Sequence, residues 1–262
     1  MSPLVHLGVA RGRSLFNRAE FWASHEALEG AWNAAAPELG SLLQGVIQVA
    51  AGFHKVLIQD NRRGAVRLLK RGLSNLDAGL VAADPDVLGI AWAPFRSAVA
   101  EWRTRLEGDA AVDLPTMGLP KIDWSAAGAA QLIRVERIEA WRLTGPGPGA
   151  IVLAVHAGAH TGWGEAGLTF ERRGVWDSLV DALAPGLMNE AVAAPSELPV
   201  VWSDVSAMAS ARAGLEAAMW DLYAKRHDVS TAAVWSLDGA TAPSPMTLTT
   251  PAAGQFDAWL GG

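Results

Sequence analysis

Six side chains in the first quarter of the chain have the types and spacing for metal or proton chemistry. His25, Glu26 and Glu29 stand in the run His-Glu-Ala-Leu-Glu, followed by Trp32, and Gln44, Gln48 and His54 come next. On a helix, His25 and Glu29 are four apart and share the face that carries Phe21, Leu28 and Trp32. Burying a charged pair there costs several kcal/mol unless its members bond each other or another group. Gln44 and Gln48 again share a face, so a polar cluster inside a helical pair is expected. Two arrangements satisfy it. In one, His25 and Glu29 ligate a divalent metal with His54 as third ligand, since imidazole and carboxylate suit zinc, iron or manganese. In the other, the same groups bond one another and fix the helix register. The zinc-protease spacing His-Glu-x-x-His is not met, because Glu29 stands where the second histidine belongs.

The second half offers weaker candidates. Glu216 and Asp221 are five apart and do not share a helix face closely, so capping or exposure accounts for them and for Glu165. His156 and His160 flank a hairpin turn and are expected to be exposed; two ligands make no closed site. Lys225 belongs to a helix and is not read as a catalytic lysine. The absence of cysteine excludes disulfides, thiolate nucleophiles and cysteine-zinc sites.

These residues need scaffolds, and the chain has two. Of 262 residues half are apolar, enough for a proper core. The first 124 residues hold 13 basic and 13 acidic side chains and the remainder 8 and 14, so the net charge of −6 lies in the second half. Neither half is basic enough for a nucleic-acid backbone. Arg11 and Arg13 interrupt the N-terminal stretch, leaving no secretory core, and there is no apolar run of about 18 residues. A cytoplasmic protein that engages neither nucleic acid nor membrane is expected. The 12 Trp fall mostly at apolar-face positions and read as core or partner contacts.

In the first half, Asn17 with Glu20 makes a variant capping box before Phe21, Leu28 and Trp32. Pro37-Glu38 opens a second helix through Leu42 to Phe53, Asp60 or Asn61 caps a third through Leu76, and a fourth carries Phe95, Val99, Trp102 and Leu106 after Gly89 and Pro94 interrupt the pattern. Short connections predict an antiparallel bundle over 1–107. The Pro/Gly-rich stretch 108–131 reads as a linker, parts of which, Ile122 and Trp124, adhere to the bundle. The run from Phe16 to Leu76, with Phe-Asn, His-Glu-x-Leu-Glu-x-x-Trp and Leu-Gln-Gly-Val-Ile-Gln-x-Ala-Ala-x-x-His, resembles domain-of-unknown-function family 309. The resemblance implies an all-helical fold with a polar centre of His25, Glu26, Glu29, Gln48 and His54, and no assigned reaction.

In the second half, Leu132–Leu143, Ala150–His156 and the segment after Gly158 predict a three-stranded antiparallel meander, and Arg172–Leu183 and Ser210–Arg226 follow with helical spacing. The fold class is thus an all-α bundle followed by an α+β domain over 132–240, with a tail, 241–262, expected to lack order. Val135-Glu136-Arg137-Ile138-Glu139, Gly162-Trp163-Gly164-Glu165 and the helix Ala213 to Lys225 with Trp220-Asp221-Leu222 resemble the N-terminal capping domain of the enolase superfamily, nearest the o-succinylbenzoate synthase and N-acylamino-acid racemase type. The resemblance implies mobile loops over a substrate, with metal-binding carboxylates and acid-base lysines supplied by a following barrel. Only 24 residues follow Asp238, too few for a barrel of roughly 200 residues. The first cap loop is cut down to Thr144–Gly149, and the Gly-rich end of the cap is altered to Val229-Ser230-Thr231 and Leu237-Asp238-Gly239. The expectation is a fusion that works as a binding or interaction protein. Its alternatives are a split synthase or racemase whose barrel lies on another chain, and a metal-dependent activity in the bundle. A cap's barrel-facing surface is apolar, which implies a homodimer or a separate barrel polypeptide as partner.

Overall fold

The computed structural model describes residues 2–84, 86–108, 118–143, 149–168, 172–237 and 256–259. They fall into two compact units, 1–131 and 132–262.

The first unit is helical: α1 (Pro3–Asn17), α2 (Phe21–Ala34), a 3-10 turn at Pro37–Leu39 leading into α3 (Gly40–Leu57), α4 (Arg62–Ala82), α5 (Trp92–Glu107) and the short α6 (Ala126–Ala130). The pattern that starts at Asn17 misses α1. Its signals are Ser2, whose hydroxyl accepts from the Val5 amide, and Pro3 in the first turn, a position where proline's missing N–H costs nothing. Asn17 is the last residue of α1 and does not cap α2, which begins after Glu20 without a side-chain cap. Asn61 does cap α4, accepting from the Gly64 amide at 2.8 Å. Pro94 sits in the first turn of α5, where it is tolerated. The core is aromatic at its centre. Phe16 packs edge-on to Phe21, Phe53 and Phe95, and Phe53 to Trp102, so four helices converge on one cluster.

The later part of the stretch read as a linker is built into this unit. The Asn17 side chain donates to the Ile122 carbonyl at 3.0 Å and accepts from its amide at 2.8 Å, while the Trp102 indole donates to Gly118. Ile122 is buried, Trp124 bridges to Ile90, and Arg13 lies over the Trp124 ring. Residues 109–117 of that stretch lie outside the described residues.

The second unit begins with β1 (Ile133–Arg134) and continues with β2 (Arg137–Leu143), β3 (Ala150–Ala157) and β4 (His160–Gly167), the expected antiparallel meander. A helical run follows as α7 (Arg172–Asp177), a π-helical stretch at Ser178–Leu183 and α8 (Ala184–Asn189). Then come β5 (Ala191–Val192), which pairs with β1, a 3-10 turn at Pro195–Glu197, α9 (Leu198–Val201), the long α10 (Ala209–Arg226) and α11 (Thr231–Leu237). The tail, expected to lack order, contributes β6 (Phe256–Trp259), which adds to β2 and makes the sheet order β4-β3-β2-β6. The reduced loop at 144–148, Asp238-Gly239 and the rest of the tail lie outside the described residues.

Helix α10 covers one face of this sheet, and small residues set the distance. Gly162, Gly164 and Ala166 alternate along β4 toward Gly214, Ala218 and Leu222 of α10. The Gly-Trp-Gly-Glu motif therefore lies within a strand and not at a turn; the turn is at Gly158-Ala159. Among the described residues no helix is long and apolar enough to cross a membrane.

Candidate functional site

Helix α2 brings His25, Glu26 and Glu29 together at the surface of the first unit. The His25 ring lies between the two carboxylates: Nδ1 is 3.3 Å from Glu26 Oε1 and Nε2 is 3.7 Å from Glu29 Oε1. One donor atom from each residue lies within 4.8 Å of the others, a grouping that could hold one metal ion. The carboxylates are about half exposed (side chains 55% and 48%) and the imidazole 17%. This corrects the expected polar centre inside the helical pair: the apolar face of α2 is narrower than its periodicity suggests, and Trp32, on the same edge of that face as His25, is itself exposed. No large desolvation cost has to be offset.

The other expected members are placed elsewhere. Gln48 accepts from the Asn75 side chain on α4 at 3.2 Å, and Gln44 is exposed. His54 is not in the group of converging donors, which removes it from the expected ligand set. What connects His54 to His25 is Trp22, which sequence reasoning missed. Its indole stacks on His25 at 5.2 Å and 7°, and meets His54 at 5.5 Å and 49°. The signal was available, since Trp22 precedes His25 by three and so lies one turn away on the same face. Ser24, fully buried beside the histidine, donates to the Gly12 carbonyl at 2.8 Å and anchors α2 on α1.

In the second unit the charged groups are built into the scaffold. Asp221 accepts from the Trp163 amide at 2.8 Å and from Lys225 Nζ at 2.6 Å, and Lys225 also donates to the Thr161 carbonyl. These contacts tie α10 to β4 and account for both residues of the Trp-Asp-Leu-x-Ala-Lys motif. Glu197, buried, accepts from the Ala193 amide at 2.6 Å. His156 is not an exposed turn residue: it is half-buried, with Nε2 2.7 Å from Glu139 Oε2 and Nδ1 2.9 Å from the Thr161 hydroxyl. Arg137 pairs with the same Glu139. Among the described residues Glu216 has no such partner, and burial pushes its carboxyl above the usual range, with Arg212 partly offsetting the effect. Trp141 and Trp163 stack at 5.7 Å on the sheet face opposite α10.

Among the described residues, the second unit gathers no three histidine or carboxylate donors within reach of one ion.

A helical unit with a histidine-carboxylate surface group and an α+β unit with a glycine-packed sheet and helix define two different classes of domain. Residues 9–68 match the family model for a domain of unknown function (DUF309), and residues 149–236 match the mandelate racemase / muconate lactonizing enzyme, N-terminal domain. The chain is also similar to the crystal structure of an unknown member of the enolase superfamily from Enterococcus faecalis V583. The identity is 24% over 40% of this chain, with a TM-score of 0.34, and the match spans 34% of that chain. No curated protein matches.

Proposed function

We propose that this protein acts by binding, and that its second unit is a cap that recognises a barrel of the o-succinylbenzoate synthase or N-acylamino-acid racemase type. The observation that carries this reading is how the cap's charged residues are used. Asp221, Lys225, Glu139 and His156 all hold strand or helix in place, and the α10–β4 packing that makes a cap is intact. Proton abstraction beside a carboxylate needs a base and a divalent ion at the enolate, and in this family both come from the barrel. The reading therefore assigns recognition and coverage of a partner to these residues, and the chemistry to that partner.

The direct test mixes the chain with the isolated barrel of an o-succinylbenzoate synthase from which its own cap has been deleted, and follows the pair by sedimentation velocity. A one-to-one complex is expected. Two separate species, or self-association of the chain unchanged by the barrel, would overturn the reading.

A further inference from the structure

We propose that His25, Glu26 and Glu29 form a binding site for one divalent transition-metal ion on the surface of the helical unit, with His54 outside the ligand set. This inference is independent of the cap and its partner. Three donors of the right chemistry, one imidazole nitrogen and two carboxylate oxygens, already lie within 4.8 Å of one another. A first-row divalent ion accepts such a mixed nitrogen and oxygen set.

Charge points the same way. Two carboxylates three residues apart on one helix repel each other, an arrangement that disfavours the helix unless a cation joins them. Among the described residues neither Glu26 nor Glu29 has an arginine or lysine partner; each faces only His25. A divalent ion would balance both carboxylates at once.

The ring is also held for the task. Trp22 stacks flat on His25, which limits the tilt of the imidazole plane while leaving either ring nitrogen free to serve as the one that binds the ion. Trp22 is 56% exposed, so its stacking on His25 is not a consequence of burial in the core. Three protein ligands leave at least one coordination position open toward solvent, the pattern of a site that takes water or a small anion as the remaining ligand.

The experiment is zinc titration of the full chain, stripped with chelator, by isothermal calorimetry, with manganese in a parallel series. One equivalent of zinc should bind. His25→Ala and Glu29→Gln should each weaken it about tenfold or more, and Glu26→Gln should weaken it measurably. His54→Ala should change it by less than about twofold, since His54 supplies no ligand. Circular dichroism of each variant should match the parent, because both carboxylates are half exposed and, among the described residues, His25 makes no bond to the helix backbone or core. A second readout is the His25 imidazole resonance, which manganese should broaden before that of His160. Absence of binding, binding indifferent to His25→Ala and Glu29→Gln, or loss of binding in His54→Ala would each overturn the proposal.

Discussion

Gly164 of β4 and Gly214 of α10 meet backbone to backbone. A Cβ built on Gly164 would run into the Gly214 carbonyl oxygen and lie 2.7 Å from the Ala218 amide nitrogen, so strand and helix cannot hold their distance if Gly164 gains a side chain. The glycines of the Gly-Trp-Gly-Glu motif are thus there for space, and the indole of Trp163 between them points to the other face.

Gly164→Ala should destabilise the second unit by about 3 kcal/mol, the cost of overpacking against backbone that cannot move aside. Gly167→Ala, three residues on, is the control: a Cβ there meets nothing within 4 Å. Urea unfolding of the two variants checks this, and equal midpoints would refute the packing account.

The side-chain carboxamide of Asn17 clamps Ile122, donating to its carbonyl and accepting from its N–H, and so joins residues 105 apart in sequence. Asn17→Ala should remove two partly buried hydrogen bonds and cost about 2 kcal/mol. Exchange of the Ile122 amide should accelerate accordingly, while the amides of the α3–α4 core should keep their protection. No change at Ile122 would mean that the clamp contributes nothing.

Glu216 supplies the pH dependence. Its carboxyl is raised above the ordinary value of 4.5 by burial, so the folded state holds the proton more tightly than the unfolded chain does. That contribution to stability is fully present below about pH 4.5 and is lost as the pH rises through the folded value. Glu216→Gln should therefore stabilise the second unit at pH 7, with the gain shrinking toward pH 4. A gain independent of pH, or a loss at pH 7, would contradict the burial argument.

Much of this was legible because it is local. The apolar spacing in α3, α4 and α5, the Asn61 cap and the continuous apolar run of β3 each involve residues within a few positions of one another. Helix α1 is equally local, with Ser2-Pro3 at its start and an apolar series ending in Leu15 and Phe16. What was not legible depends on long-range pairing. A single strand's alternation says which residues share a face, not which residue on the next strand they meet, so the pairing of His156 with Glu139 required the register of β2 on β3. The same holds for β6, four residues whose pairing with β2 no local pattern announces. At the candidate site, periodicity placed His25 and Glu29 on one face. It could not say how wide the buried part of that face is, nor that Gln48 bonds Asn75 and that His54 lies outside the group of converging donors.

The measurement that bears most directly on the proposed role is turnover. The 262-residue chain, with magnesium or manganese, is assayed for racemisation of N-acylamino acids and for dehydration to o-succinylbenzoate, alone and with a separate barrel polypeptide. The expected result is no turnover by the chain alone and activity above that of the barrel by itself when the two are combined. Turnover by the chain alone that disappears in Glu165→Gln or Lys225→Ala would contradict the account, because it would place catalytic groups in the cap itself.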